Sequence, residues 1–250
     1  MDIRLDPATK LEWLRTWLSM NRAEPTTTMG PIRPARLLDL TDELTMRLVQ
    51  TKNVLQGGKE ISDIRYAALS HGSGASQHLK TTKENIGRLS EGLLFADLPK
   101  TFQDAVFFAR ILGFSYLWID ALCIVQNDPD DWNTESDKMG DIFMNAEVTF
   151  AAHCAVDDSA GFLHNALSKY PTVQHHVMGT NAGLCRPMDP DRDVTNSDLS
   201  RRGWVLQERF LSSRTIHSTS GRVFCETTRD ILAEDGTWHY PQSDSSIISP

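Results

Sequence analysis

Several things are scarce in this chain. No apolar run approaches the ~20 residues needed to cross a bilayer, and the opening MDIRLDPATKLEW lacks the basic-then-apolar order of a secretory signal. Basic residues are in deficit, 25 against 33 acidic, for a net charge of −8, and they are scattered. The electrostatic attraction that dominates nucleic-acid affinity is therefore missing, which argues against DNA or RNA as partners. Only four cysteines occur, Cys123, Cys154, Cys185 and Cys225, with no C-x-x-C pair to suggest zinc or redox chemistry. They read as buried thiols, and the chain as a soluble cytoplasmic protein that touches no membrane.

What is present is enough apolar material, 40% of 250 residues, to bury a sizeable core. Residues 7–20 predict an amphipathic helix with Leu11, Leu14, Trp17 and Leu18 on one face. Residues 23–34, rich in Pro, Thr and Gly, read as an irregular connection. The expected organisation is an N-terminal helix and linker over 1–34, one domain over 35–232 and a polar tail over 233–250.

Within the domain, strand-like and helix-like segments alternate. Residues 36–40, 64–70, 116–120 and 148–152 predict strands. Residues 99–112 predict a helix with Phe102, Val106 and Ala109 on one face and Gly113 at its C-terminal stop. Residues 129–144 predict another, with Asp128 as N-cap, Pro129 behind it, and Trp132, Met139 and Phe143 turned inward. This alternation implies an α/β fold with a central, mostly parallel sheet flanked by helices. Residues 172–178, 214–219 and 222–226 are β-rich and separated by turns, so the C-terminal part reads as mixed or antiparallel.

Ligand sites in such sheets lie beyond the carboxyl ends of the strands. Ser70 and His71 fall there, as does Asp120 at the end of YLWID. A lone buried carboxylate is costly, so Asp120 is either functional or a structural buckle accepting backbone N–H bonds or an Arg such as Arg202 or Arg209. Gly72 to Ser76 carry nothing larger than a hydroxymethyl group and lack the GK[ST] ending of a phosphate loop. Cys123, in ALCIV, reads as an inert thiol. The stretch SRRGWVLQERFLSSR sets Trp204, Leu206, Phe210 and Leu211 among Arg202, Gln207, Glu208 and Arg209, as a helix with a charged face.

Four blocks, YAALSH, LPKTFQDAVFFARILGFSYLWIDALCIVQNDPDDW, ESDKMGDIFMNAEVTFAA and RRGWVLQERFLSSR, resemble in order and spacing the fungal heterokaryon-incompatibility (HET) domain, over about residues 36–226. The resemblance implies a fold distantly similar to TIR domains and a family role in self/non-self recognition that ends in cell death. The family's first block reads S-H-C-W-G. Here Gly72 and Ser73 stand where its cysteine and tryptophan would be, which removes on the order of 150 Å² of largely apolar surface.

From this follows the expectation of a repurposed, cofactor-free and metal-free enzyme of fungal secondary metabolism that binds an apolar small molecule and promotes its cyclisation. His71, Asp120 and Trp204 would be catalytic, with His71 or the Trp204 indole N–H polarising a carbonyl. Ser70, Gly72, Ser73, Gln207, Glu208 and Arg209 would bind substrate. The alternatives are a cell-death effector cleaving a nicotinamide nucleotide, with Asp120, Glu135 or Glu208 near the ribose, and a silent binding module. Any of these is compatible with a homo-oligomer.

Overall fold

A computed structural model describes residues 7–20, 32–54, 64–72, 79–164, 173–177, 180–184, 189–220 and 222–239. Ser73 and the rest of the Gly-Ser run, Cys185, most of the 23–34 connection and the tail from 240 lie outside the described residues. Among the described residues, ten strands form one sheet in the order β12-β11-β10-β9-β6-β3-β5-β1-β2-β4. They are β1 Arg36–Asp39, β2 Thr45–Gln50, β3 Tyr66–Ser70, β4 Leu93–Leu94, β5 Tyr116–Trp118, β6 Val148–Ala152, β9 Arg214–Thr219, β10 Arg222–Thr227, β11 Ile231–Ala233 and β12 Trp238–His239. β7 Val173–Val177 and β8 Thr180–Leu184 pair as a separate hairpin.

The parallel centre is β5-β3-β6-β9. β3 and β6 are buried along their whole lengths, as strands covered on both faces must be. Antiparallel strands extend this centre on either side. β9 to β12 form a meander, and β1, expected to run with the parallel set, instead pairs antiparallel to both β5 and β2. The short 39–45 connection explains the pairing with β2, which is a hairpin rather than a crossover through a helix.

Helices cover the sheet: α1 Pro7–Met20, α2 Thr51–Val54, α3 Ile86–Glu91, α4 Lys100–Ile111, α5 Asp120–Cys123, α6 Pro129–Ser136, α7 Met139–Asn145 and α8 Gly203–Leu211. α4 buries Phe102, Val106 and Ala109, and stops where Gly113 takes φ 86° and Phe114 N–H donates to Ala109 O. Phe108 of α4 meets Phe150 of β6 with ring centroids 4.9 Å apart. Each such buried aromatic contributes roughly 1.5–3 kcal/mol.

Two helical expectations need correction. The 129–144 helix is two helices, broken at Asp137 and Lys138. At this break the buried Glu135 carboxylate accepts from Ala35 N–H and from Lys138 Nζ, both at 2.8 Å. Once the helix is broken, Trp132 no longer shares a face with Phe143: Phe143 is buried, whereas Trp132 is 41% exposed. On α8, Val205 is the buried residue, and Trp204, Leu206 and Phe210 are 61, 55 and 75% exposed.

α1 is built into the core. Leu14, Trp17 and Leu18 belong to the same apolar cluster as β3 and β6. Lys10 pairs with Glu234 at 3.1 Å, both side chains being withdrawn from water, and Arg214 Nη1 donates to Leu18 O at 2.8 Å. Leu14→Ala is accordingly expected to cost about 2–5 kcal/mol, read as a lower urea midpoint of a single transition. A separate early transition for α1, with the main midpoint unmoved, would contradict its place in the core.

Candidate functional site

The parallel strands deliver their carboxyl ends to one edge of the sheet. β3 ends at Ser70, which puts His71 next in line, 6% exposed. β5 runs through an extended Ile119 into Asp120, the first residue of α5. α8 lies across this edge with Glu208. Between them opens a cleft of about 130 Å³. His71, Asp120, Gln126 and Glu208 supply its polar lining, and Trp132, Trp204, Met139 and Ile124 its apolar walls, with Arg202 at the side. A hollow bordered by both Asp120 and Trp204 is thus present. Its volume is below the ~300 Å³ of a typical small-ligand site, so it suits a single ring better than a large apolar molecule.

His71 is fixed on all sides. Its Nε2 is 3.0 Å from Asp158 Oδ1, its Nδ1 is 3.8 Å from Asp120 Oδ1, and Phe102 stands edge-on with centroids 5.2 Å apart. Arg202 Nη1 donates to His71 O at 2.8 Å. Burial alone would lower the imidazole pKa, but Asp158, Asp120 and Glu208 outweigh it and raise the pKa.

Asp158 comes from the loop after β6, which the N-terminal turn of α4 pins. Thr101 N–H donates to Asp158 O at 2.8 Å, and Thr101 Oγ1–H to Asp157 O at 2.9 Å. Asp104 Oδ2 accepts from the N–H groups of Phe162 and Leu163. Gly161, at φ 71°, lets the loop turn where a Cβ would stand 2.8 Å from Asp104 Oδ2.

Glu208 is the most perturbed carboxyl in the cleft. Burial, reinforced by Asp120, raises its pKa to about 7, against the opposing pull of Ser70, His71 and Arg202. Asp120 is half-exposed, and its Oδ1 accepts from Ala121 N–H at 2.7 Å. The buckle reading of Asp120 therefore holds in its backbone part, and the same carboxylate still faces the cleft.

Of the residues singled out in the sequence, Ser70, His71, Gly72, Asp120, Trp204 and Glu208 come together here. Gly72 lies beside the site, and a Cβ on it would meet Arg202 Nη1 at an ordinary 3.6 Å. Gly72 does not line the cleft, and Ser73 lies outside the described residues. Gln207 does not line the cleft; it is exposed, and its amide nitrogen lies over Gly140 of α7. Arg209 is committed to Glu226, through bonds of 2.7 and 2.8 Å, and does not reach the cleft. Glu135 is buried with Ala35 and Lys138 instead. Burial pushes the Cys123 thiol up to about 12, so it is inert. Asp158 and Trp132 went unrecognised as site residues; an acidic pair, DD, two turns of chain past the end of a parallel strand was the one available signal for the first.

These shifts have a sign. A raised histidine pKa stabilises the fold below the ordinary 6.5 and is lost as pH rises through the folded value. A raised carboxyl pKa costs nothing below the ordinary 4.5 and exacts its full penalty above about 7. Both groups therefore favour the mildly acidic side, and thermal melting is expected at a higher temperature near pH 5.5 than near pH 8. Glu208→Gln should flatten that difference; an unchanged profile would show that Glu208 ionises freely.

Beyond the geometry, residues 66–208 match the family described as heterokaryon incompatibility protein (HET). No curated protein and no solved structure matches the chain. The family match spans more than half of the 250 residues and ends at Glu208, on the helix that closes the cleft. The chain belongs to the HET family.

Proposed function

We propose that the cleft hydrolyses the N-ribosyl bond of a nicotinamide nucleotide. One observation carries this reading: Glu208, whose carboxyl titrates near neutrality, faces a cleft that also holds Asp120 and is walled by two indoles. Trp132 and Trp204 line the cleft, and an aromatic face attracts a cationic ring such as a nicotinamide. A carboxylate lining stabilises the positive charge that develops at the ribose C1′ as the bond to the ring nitrogen breaks and its electron pair returns to the ring. Water adds to C1′, and ionised Glu208 takes its proton. Asp158 is a positioning residue: by holding His71 Nε2 it aims Nδ1 at Asp120.

The cofactor-free cyclisation expected from the sequence draws its support from the same indole walls. The charge of the lining weighs against it. The carboxyl groups of Asp120 and Glu208 beside His71 favour a developing cation over the developing oxyanion that polarising a carbonyl creates.

With purified protein and NAD, release of nicotinamide followed by chromatography is expected to rise with pH through about 7, as Glu208 ionises. Glu208→Gln should lower turnover by on the order of 10²–10⁴. Asp158→Asn should shift the midpoint of the pH profile to higher pH, because a less supported His71 loses its proton and no longer holds the Glu208 pKa down, in addition to reducing the rate. The reading fails if the folded protein leaves NAD intact, or if Glu208→Gln turns it over at the parent rate.

A further inference from the structure

A second chain of polar groups is assembled apart from the cleft, and none of its four members lines it. His153 follows β6, His217 lies on β9 and Glu226 on β10, so neighbouring strands of one sheet set their spacing. His217 Nε2 is 2.7 Å from Glu226 Oε2, and His217 Nδ1 is 2.8 Å from His153 Nε2. His153 Nδ1 is 2.7 Å from Ser197 Oγ. Arg209 grips both oxygens of Glu226, Nε donating to the Oε2 that also meets His217 and Nη2 to Oε1, which fixes the carboxylate at the end of the chain.

Burial lowers the pKa of both imidazoles, that of His153 well below the usual value. Glu226 is held at about 2, because His217 and Arg209 outweigh its burial. With neutral rings and an ionised carboxylate, one proton order remains. His217 Nε2–H donates to Glu226, so His217 Nδ1 accepts from His153 Nε2–H, and His153 Nδ1, at 2.7 Å, is the nearer of two acceptors for the Ser197 hydroxyl proton, the other being Ser200 Oγ at 3.1 Å. The reverse order would press the lone pair of His217 Nε2 against the carboxylate.

Ser197 thus faces a base whose far nitrogen is backed by a second imidazole and a clamped carboxylate. Ser200 N–H donates to Ser197 Oγ at 3.2 Å, where it would hold negative charge on that oxygen. Ser197 is only half-buried, beside the exposed Asp198. The chain thus runs from a clamped carboxylate in the interior to a hydroxyl on a half-buried residue.

We propose that Ser197 is a nucleophile for acyl transfer from small esters, activated through His153, His217 and Glu226. Its oxygen attacks the ester carbonyl and its proton passes to His153 Nδ1. His153 hands its Nε2 proton to His217, so the positive charge settles on the imidazole that touches Glu226. The alkoxide leaves with a proton returned along the chain, and water then releases the acyl group from Ser197 by the same route. Handing the charge on to His217 is why the low basicity of His153 is no obstacle. The proposal stands independently of the chemistry of the cleft.

The test is incubation of the full chain with an alkyl fluorophosphonate, in which the Oγ–P bond forms, fluoride leaves and the serine proton enters the histidine chain. Peptide mass mapping is expected to place the adduct on Ser197. The labelling rate of the parent protein should fall as pH drops below the usual imidazole range. Glu226→Gln should lower the rate by on the order of 10² or more. Absence of an adduct at Ser197, a rate insensitive to pH, or parent-rate labelling by a Glu226→Gln protein that circular dichroism shows folded would each overturn the proposal. If Glu226→Gln does not fold, the adduct position and the pH profile of the parent protein decide.

Discussion

Strand β3 lies between two parallel neighbours, with every residue from Tyr66 to Ser70 withdrawn from water. Such a strand cannot slide, because a one-residue slip would exchange its two packed faces and break both ladders. The rigid strand fixes the position of Ser70 and His71 at its end. The cleft is then completed by groups brought to the same edge: Asp120 after β5, Asp158 after β6 and Glu208 from α8. A mobile β3 would leave these groups without a common reference.

The second constraint is electrostatic. Asp120, Asp158 and Glu208 crowd around one imidazole, with Arg202 as the adjacent cation. Such crowding works against stability, because like charges at short range are tolerated only when a proton or a cation intervenes. The protein meets part of the cost by raising the His71 and Glu208 pKa values, so that protons are retained near neutrality. That retention is also what makes Glu208 suitable for proton transfer. By contrast, Glu226 sits in a site built for its charge, between His217 and Arg209, and is depressed to about 2. The two carboxyls lie on neighbouring elements and are set on opposite sides of neutrality by their surroundings alone.

The parallel centre was legible because β3, β5 and β6 are continuous apolar runs closed by polar residues, and the α4 helix because its apolar spacing and Gly113 agree. The sense of β1 was not, since the pairing of a strand depends on the length of the connection that follows it and on which neighbour is free. The break between α6 and α7 was hidden for a similar reason: it lies beside Glu135, whose partner Ala35 is a hundred positions away. Arg209 and Glu208 are adjacent in sequence, yet only the helix orientation sends one to Glu226 and the other to the cleft.

The sequence by itself determined the α/β class, the family blocks and the placing of Ser70, His71 and Asp120 at strand ends, because these follow from local periodicity and from residue types at fixed spacing. Only the tertiary structure decided that Asp158 backs His71, that Trp132 and Trp204 line one cleft, and that Ser197, His153, His217 and Glu226 form one chain. Those relations join residues far apart in the chain, and they exist only once the packing of β3, β6 and β9 has fixed the distances between them.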